Sequence, residues 1–450
     1  MPGKVFFEKH LEGDLKNLVE DNVYIPGLII GQVINDDYHV VHLMAITTWD
    51  DNKRPSHKPD TLKSTSLNGL SQFSSEIFDR TLDVINFLPG GSYVLGFFII
   101  IPKDLSGIKP VSLDFFQLDN ILNEYVLFKD KSETWKYLLL NYSSVNNKSC
   151  CYTVDIKIPN DAKSITYKAI DVSFKSMEKE WITFVGTFNF DTLESLNVSG
   201  GPKVLSSIRE NLLDQLESIT EKCVYSFNGQ VYDKKTVIKN VKVSSNTDNV
   251  LKNVIHIELF REVESGEESK NASLKIVRGK GKIFMSGLCS LAVPFHTSGT
   301  IDQAVKAIRQ DTIRTFATRL KMHLDSFVEE ESEEEDDVAN VVHETPRRIL
   351  ILKTDGCRFP FSDYVFPGEC PIETLDNAGD ILNLPKNKME LYNLLEKGRQ
   401  TSYDELSDTE DLQKDEKIAG TYDNDTQIVW FIVATLVFAV ISLIVKILFI

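Results

Sequence analysis

Histidine and cysteine side chains with the spacing of a metal or catalytic site are scarce in this chain. His39 and His42 lie three residues apart, which would place both on one face of a helix, but the apolar residues around them predict a strand. Odd spacing along a strand sends two side chains to opposite faces, so they are not expected to bind a metal together. None of the six cysteines has the CxxC spacing of a zinc clamp. We therefore expect no metal and no other cofactor.

A nucleophilic cysteine remains as a catalytic alternative. Cys357 follows Asp355 and Gly356, and a thiol activated by a distant histidine would make the chain a cysteine hydrolase. The sequence contains neither the GxSxG elbow of serine hydrolases nor the HExxH helix of metalloproteases. An enzyme is therefore less favoured than a non-catalytic binding protein.

A strand end at residues 96–102 is the most informative chemical feature. Its sequence, GFFIIIP, resembles the Gly-Trp-Tyr-His-Ser-His-Pro strand end of the MPN fold. In catalytic MPN proteins the two histidines bind a zinc ion that activates water for isopeptide hydrolysis. The resemblance places Ile99 and Ile101 at the histidines, Tyr24 at the general base and Ser112 at the metal-binding aspartate. Because these four side chains supply no imidazole or carboxylate, the resemblance implies a catalytically degenerate MPN-like domain.

The elements around this strand predict an α/β first domain at residues 1–195. Two apolar runs, at 24–33 and 39–47, are joined by turn residues and predict a hairpin. Helical periodicity over 73–88 ends at a Leu-Pro-Gly-Gly turn, which leads into the strand of the MPN-like motif. The periodicity therefore predicts a helix beside the sheet.

A second domain of α+β class is predicted at residues 223–398, after a connecting helix at 196–222. Its clearest element is a long amphipathic helix that begins at Thr300, where Gln303 can complete a capping box. The acidic run at 329–337 cannot bury its charges, and we interpret it as a solvated loop.

The C-terminal segment predicts one transmembrane helix. Residues 428–445 carry no charge, and as a helix they would extend about 27 Å, close to the thickness of a bilayer core. We assign 428–450 as a tail anchor and the polar, acidic residues 399–427 as a flexible tether. The anchor residues that we expect in the bilayer are Ile428, Trp430, Leu436, Phe438, Leu443 and Val445.

Charge and cysteine content favour a cytosolic location for the part before the anchor. The formal net charge of −17 opposes binding of the chain as a whole to nucleic acid and to anionic lipid headgroups, whose phosphates are also negative. The cysteines are dispersed rather than arranged as a disulfide framework, and charges interrupt the N-terminal sequence before it could form a signal peptide. We expect a single-pass membrane protein with its N-terminal bulk in the cytosol.

Several motifs together resemble the odorant-response-abnormal-four family. They are, in order, PGLIIGQ at 26–32, LPGGSYVLGFFII at 88–100, FNGQVYD at 227–233, AVKAI at 304–308 and the C-terminal anchor. The resemblance implies a membrane protein of the endoplasmic reticulum that supports folding or trafficking of seven-helix, odorant-type receptors. It also implies recruitment of a protease that processes the UFM ubiquitin-like modifier.

The resulting hypothesis is a non-catalytic, membrane-anchored adaptor. MPN domains commonly pair through helices beside the sheet, so we predict that Phe78, Val84 and Leu88 contact a UFM-type protease with its own MPN-like domain. The alternatives are the cysteine hydrolase that uses Cys357 and a direct receptor chaperone that acts through its transmembrane helix.

The topology can be tested by glycosylation. A sequon added after Ile450 should be glycosylated, because only the C-terminal end reaches the lumen in this orientation. The five natural sequons, at Asn141, Asn147, Asn197, Asn271 and Asn424, should stay unmodified. A glycosidase-sensitive shift in gel mobility measures both, and sugar on any natural sequon would reverse the predicted orientation.

Overall fold

A computed structural model describes most of the chain between residues 3 and 396. The described residues are 3–48, 60–66, 74–105, 115–124, 136–157, 164–196, 213, 216–217, 220–243, 251, 253–261, 281–330, 342–344, 346–366, 368–393 and 395–396. They belong to one compact unit, Met1–Gly398, and a second unit comprises Arg399–Ile450. The predicted tether, the predicted membrane span, Ser112 and residues 331–337 of the predicted acidic loop lie outside the described residues, and the first two residues of that predicted loop are helical. Among the residues that are described, no helix combines the length and apolar character needed to cross a membrane.

The described chain has a mixed α/β fold in which helices separate groups of consecutive strands. The helices are α1 (Leu11–Asn17), α2 (Ser74–Phe87), α3 (Phe115–Glu124), α4 (Ile301–Glu330) and α5 (Glu373–Leu382). The strands are β1 (Val5–Glu8), β2 (Ile25–Ile34), β3 (Asp37–Ala45), β4 (Thr47–Thr48), β5 (Asp60–Thr61), β6 (Tyr93–Ile101), β7 (Tyr137–Ser143), β8 (Ser149–Lys157), β9 (Ser164–Ile170), β10 (Val172–Lys175), β11 (Trp181–Leu196), β12 (Cys223–Phe227), β13 (Val254–Arg261), β14 (Gly281–His296), β15 (Val342–Glu344), β16 (Arg347–Lys353), β17 (Pro360–Val365) and β18 (Met389–Tyr392).

The first sheet is curled on itself. Its strand order is β10-β1-β3-β2-β6-β7-β8-β9, yet only Asp171 separates β9 from β10 along the chain. Because consecutive Cα atoms lie about 3.8 Å apart, the two edges of the sheet approach within about 8 Å at this residue. The sheet therefore bends toward closure, as barrel sheets do.

Two local predictions are confirmed. Strands β2 and β3 form the expected antiparallel hairpin, and positive φ angles at Asn35 and Asp36 give the two-residue turn that suits a right-handed strand twist. At the start of α4, the Thr300 backbone N–H donates to Gln303 Oε1 at 3.0 Å, and the Gln303 N–H donates to Thr300 Oγ1 at 3.4 Å. These two reciprocal bonds are the predicted capping box.

The second sheet begins earlier than the predicted domain boundary at residue 195. Its order is β12-β13-β11-β14-β15, and β11 pairs with β14 along its whole length. The chain therefore changes sheet between Lys175 and Trp181, and β11 belongs to the second sheet rather than to the end of a first domain. The pairing partner of β11 lies about a hundred residues away in sequence, where a local pattern cannot identify it.

The third sheet, β17-β16-β18, packs with the first sheet rather than with the second alone. Ile351, Phe359 and Phe361 belong to the same apolar cluster as core residues of the first sheet, such as Val40. The predicted domain at 223–398 therefore contributes to two cores. The described part of the connecting segment, residues 213, 216–217 and 220–222, is helical as predicted.

The turn between α2 and β6 fixes the first sheet to α4. The Gly90 N–H donates to Asp311 Oδ1 at 2.9 Å, the Gly91 N–H donates to Gln310 Oε1 at 2.7 Å, and Arg314 donates to the Pro89 carbonyl at 3.0 Å. A Cβ atom on Gly90 would lie 2.1 Å from a helix carbonyl oxygen. Only glycine allows this approach, which joins the motifs at 88–100 and 304–308 in one contact.

Because of this contact, one methyl group added at Gly90 should lower the stability of the fold substantially. Gly90→Ala should lower the free energy of unfolding by about 1–3 kcal/mol or more, because backbone atoms of α4 must move to admit the Cβ. Gly13→Ala is the matched control, since a Cβ there meets nothing within 4 Å and alanine favours the helix. Urea unfolding measures both variants. Equal stability of the two would show that α4 is not held against this turn.

Candidate functional site

The strand end that resembles the MPN motif is closed and apolar. The register of β2 and β6 pairs Ile25 with Ile100, so Tyr24 lies beside the end of β6 as the resemblance requires. Tyr24, Ile99 and Ile101 are all buried, and both isoleucines are completely inaccessible. The structure therefore brings together the three predicted positions that it describes, and the chain itself covers them.

The predicted partner interface on α2 needs correction. Val84 and Leu88 are buried in the main apolar cluster, and Phe78 is half-buried against the same cluster. The apolar stripe of α2 faces the interior, where residues of the first and third sheets belong to the same cluster. Val84 and Leu88 are core residues, and they cannot contact a partner without opening the fold.

Cys357 does not have the surroundings of a nucleophile. It is buried, and burial raises the pKa of its thiol to about 12, with the nearby Glu8 carboxylate acting in the same direction. A catalytic thiol needs a lowered pKa, so that the thiolate exists at neutral pH. The turn that carries Cys357 packs tightly against Glu8 and His10, since a Cβ on Gly356 would meet both side chains within 3 Å.

A buried ammonium group lies close to this turn. Lys353, at the end of β16, donates to His10 Nε2 at 2.7 Å, to the Val41 carbonyl at 3.1 Å and to His42 Nδ1 at 3.3 Å. His42 Nε2 lies 2.8 Å from the Leu382 carbonyl, which can only accept, so this nitrogen carries the ring proton and Nδ1 accepts from the lysine. The three lysine protons are thereby satisfied, and the third sheet is tied to α1 and β3.

Burial makes this cluster electrostatically unusual. It lowers the pKa of the Lys353 ammonium to about 8 and that of His10 to about 3, and the lysine charge contributes to the second shift. The pKa of His42 is also held well below its ordinary value, chiefly by burial. The histidines are therefore neutral acceptors at physiological pH. In the sequence, this cluster is indicated by Lys353, a lysine at the end of an otherwise apolar strand.

A second buried cluster joins all three sheets. The Arg348 guanidinium donates to both oxygens of Asp311, at 2.7 and 2.9 Å, and both side chains are 1% exposed. Asp311 also accepts from the Ala292 N–H at 3.2 Å. Beside it, Glu396 binds Arg319 and accepts from the Arg348 N–H at 2.7 Å. Because every oxygen has a donor, the arrangement suits a structural ion-pair network rather than a reactive site.

The buried Lys353 should make the free energy of unfolding depend on pH. The folded-state pKa of Lys353 lies below its ordinary value of 10.5, so the unfolded chain binds more protons between about pH 8 and 10.5. Stability from this group should therefore rise with pH in that window, by up to about 1.4 kcal/mol per pH unit. The stability difference between wild type and Lys353→Met, from urea unfolding at several pH values, should increase accordingly.

Lys388→Met provides the matched control. Its ammonium is partly exposed, and a hydrogen bond to Asp355 raises its pKa, so its contribution should be lost only above pH 10.5. A flat difference curve for Lys353→Met between pH 8 and 10.5 would show that the ammonium is not buried as described.

Comparison with known proteins identifies relatives over most of the chain. The chain is 23% identical to "Protein odr-4 homolog" of Gallus gallus over 390 residues, which covers 85% of this chain and 84% of that protein. It is 24% identical to the Homo sapiens protein of the same name over 391 residues, with 85% and 83% coverage.

Among solved structures, the chain is similar to "UfSP from C.elegans", with a TM-score of 0.41 and 10% identity. That match covers 85% of this chain and 57% of the other, and a similarity at this level supports no functional comparison. The model of the family described as "ODR4-like: Odorant response abnormal 4-like" matches residues 27–391, a span that includes most of β2, the turn against α4 and Lys353 on β16. The chain therefore belongs to the ODR4-like family.

Proposed function

We propose that the chain is a non-catalytic adaptor, anchored in the endoplasmic reticulum membrane by its C-terminal helix. It recruits a UFM-type modifier protease and supports folding or trafficking of a subset of seven-helix, odorant-type receptors. Membership of the ODR4-like family supports the proposal, and the uncharged segment at 428–445 supports the anchor.

The observation that carries the proposal is the closed strand end. A catalytic MPN domain would present zinc ligands and a general base at the positions of Ile99, Ile101 and Tyr24, and would keep them open to substrate. Here the three side chains cannot bind zinc, and they are buried. The proposal therefore treats this part of the fold as an MPN-like pseudoenzyme that acts by binding.

The cysteine hydrolase is the weaker alternative. Its candidate nucleophile, Cys357, is buried, and its thiol has a raised pKa. The sequence also lacks the Asp-Pro-His motif that the UFM-type proteases carry. A hydrolase would require the turn at 355–357 to open and the thiol to lose its proton.

The protease must bind a surface that the folded chain exposes. On α2, the exposed positions Ser75, Asp79 and Asn86 are polar, and of the predicted contacts only Phe78 is partly accessible. A partner that used this helix would meet a polar surface with one half-buried aromatic ring. Binding there would be weak compared with an interface built on buried aromatic anchors.

An anchor exchange tests the adaptor against the receptor chaperone. Residues 428–450 are replaced by an unrelated apolar anchor, and the membranes are solubilised in detergent. The UFM-type protease should co-purify with both the natural and the exchanged chain, and receptor delivery to the cell surface should be equal, because the adaptor needs the anchor only for location. A truncated chain without any anchor, as the control, should leave the protease in the cytosol.

Loss of receptor delivery with the exchanged anchor, while the protease still co-purifies, would assign the receptor function to the transmembrane helix itself. Failure of the protease to co-purify with the natural chain would contradict the adaptor proposal.

A further inference from the structure

The motif at 227–233 opens a compact loop that none of the interactions above uses. The loop, residues 228–243, leaves the end of β12 and returns to the same place, where Asn228 Nδ2 donates to the Lys242 carbonyl at 2.7 Å. Asn228 Oδ1 also accepts from the His256 N–H at 2.8 Å, which fixes the closure to β13. We call this segment, defined as residues 228–243, the Ω-loop.

The Ω-loop is held rigidly on its inner side. Ile238 and Val241 are buried in the core of the second sheet. The Thr236 and Lys234 carbonyls accept from the first backbone N–H groups of α4, at 2.9 and 3.0 Å. These bonds satisfy the helix N-terminus, so any ligand must be bound by the outer side of the loop.

The outer side combines lysines with small apolar side chains. Four lysines are exposed within nine residues, and Asp233 is the only acidic residue of the loop. Three valines are exposed between and beside them, at 66%, 37% and 44% of their surface. The exposed side chains are Lys234, Lys235, Lys239 and Lys242, and Val231, Val237 and Val243. A positive loop in a chain of net charge −17 is a local feature whose charge is complementary to an anionic partner.

The acidic run of the same chain cannot be that partner. The Ω-loop contacts the N-terminal end of α4, whereas the run at 329–337 begins at the other end of a 30-residue helix, about 45 Å away. Asp337, the last residue of the run, is only seven residues beyond Glu330, so chain length alone limits its distance from the helix end to about 25 Å.

The composition of the loop favours lipid over protein. Protein interfaces are enriched in arginine and large aromatic residues and depleted of lysine. The Ω-loop contains no arginine, its one aromatic ring, Tyr232, is half-buried, and four of its five charged residues are exposed lysines. Clusters of four to eight basic residues are typical of segments that bind anionic headgroups. We propose that the Ω-loop docks the folded unit onto anionic phospholipid headgroups, with the lysines at the phosphates and the valines at the interface. The inference rests on the proposed membrane anchor, which would keep the loop at high effective concentration near the bilayer.

The test uses the full chain reconstituted in vesicles. A Val231→Cys substitution, with the exposed Cys150 and Cys370 changed to serine, carries an environment-sensitive dye on the loop. Vesicles of phosphatidylcholine alone are compared with vesicles in which a third of the lipid is phosphatidylserine. The dye should report an apolar environment only on the phosphatidylserine vesicles, and the signal should fall as salt is raised.

Charge reversal supplies the matched variants. Changing Lys234, Lys235, Lys239 and Lys242 to glutamate should shift the docking equilibrium toward the undocked state by at least about a hundredfold. The same change at four exposed lysines elsewhere, Lys9, Lys148, Lys168 and Lys179, should leave the dye signal intact. Equal thermal unfolding of both variants verifies that neither has lost its fold.

Vesicle flotation separates the two proposals. A chain that does not float with vesicles contradicts the membrane anchor, whereas a chain that floats with an unchanged dye signal on both lipids overturns the docking proposal alone. A dye response to the purified UFM-type protease, without any response to phosphatidylserine, would also overturn it and assign the Ω-loop to a protein partner.

Discussion

The carboxylate of Asp311 accepts hydrogen bonds from three separate parts of the fold, and their relative placement depends on it. It binds the Gly90 N–H in the turn before β6, the Ala292 N–H in β14 and the Arg348 guanidinium in β16. Removing one partner of a buried ion pair costs about 3–5 kcal/mol, a large part of the net stability of a typical domain. The sheets are therefore joined by charge as well as by apolar packing, and the position of Lys353 on β16 follows from the same contact.

Sequence reasoning succeeded where the determining interactions are local. The hairpin turn needs only Asn35 and Asp36, and the capping box of α4 needs only Thr300 and Gln303, so both could be predicted from a few residues. It did not locate the strand pairings between distant segments. The partner of β11 is about a hundred residues away, and the pattern of β11 alone fits either sheet. The buried charges of α4 gave no local signal, because an arginine on a helix ordinarily indicates a solvated face.

In the candidate site, too, the local arrangement could be predicted and the long-range packing could not. Tyr24, Ile99 and Ile101 could be placed together because a hairpin and one neighbouring strand determine their register. The interface on α2 could not be predicted, because an apolar stripe indicates that something covers the helix but not what covers it. Val84 and Leu88 are buried in one apolar cluster that also contains residues of the first sheet, the third sheet and the helices α3 and α5. A partner surface must therefore be sought among residues whose side chains the folded unit leaves unused.

The motifs that carry the family resemblance differ in whether packing within the fold accounts for their side chains. In the motif at 26–32, Gln32 donates to the Pro294 carbonyl at 2.6 Å, and the motifs at 88–100 and 304–308 meet where Gly90 lies against the Ala307 carbonyl. These three motifs are explained by the junction between the sheets. In the motif at 227–233, packing explains Phe227 and Asn228, which close the Ω-loop, but it does not explain the exposed side chain of Val231 or the lysines that follow. Because the core leaves these side chains unused, the outer side of the Ω-loop is the part of these motifs to which the docking proposal assigns a role.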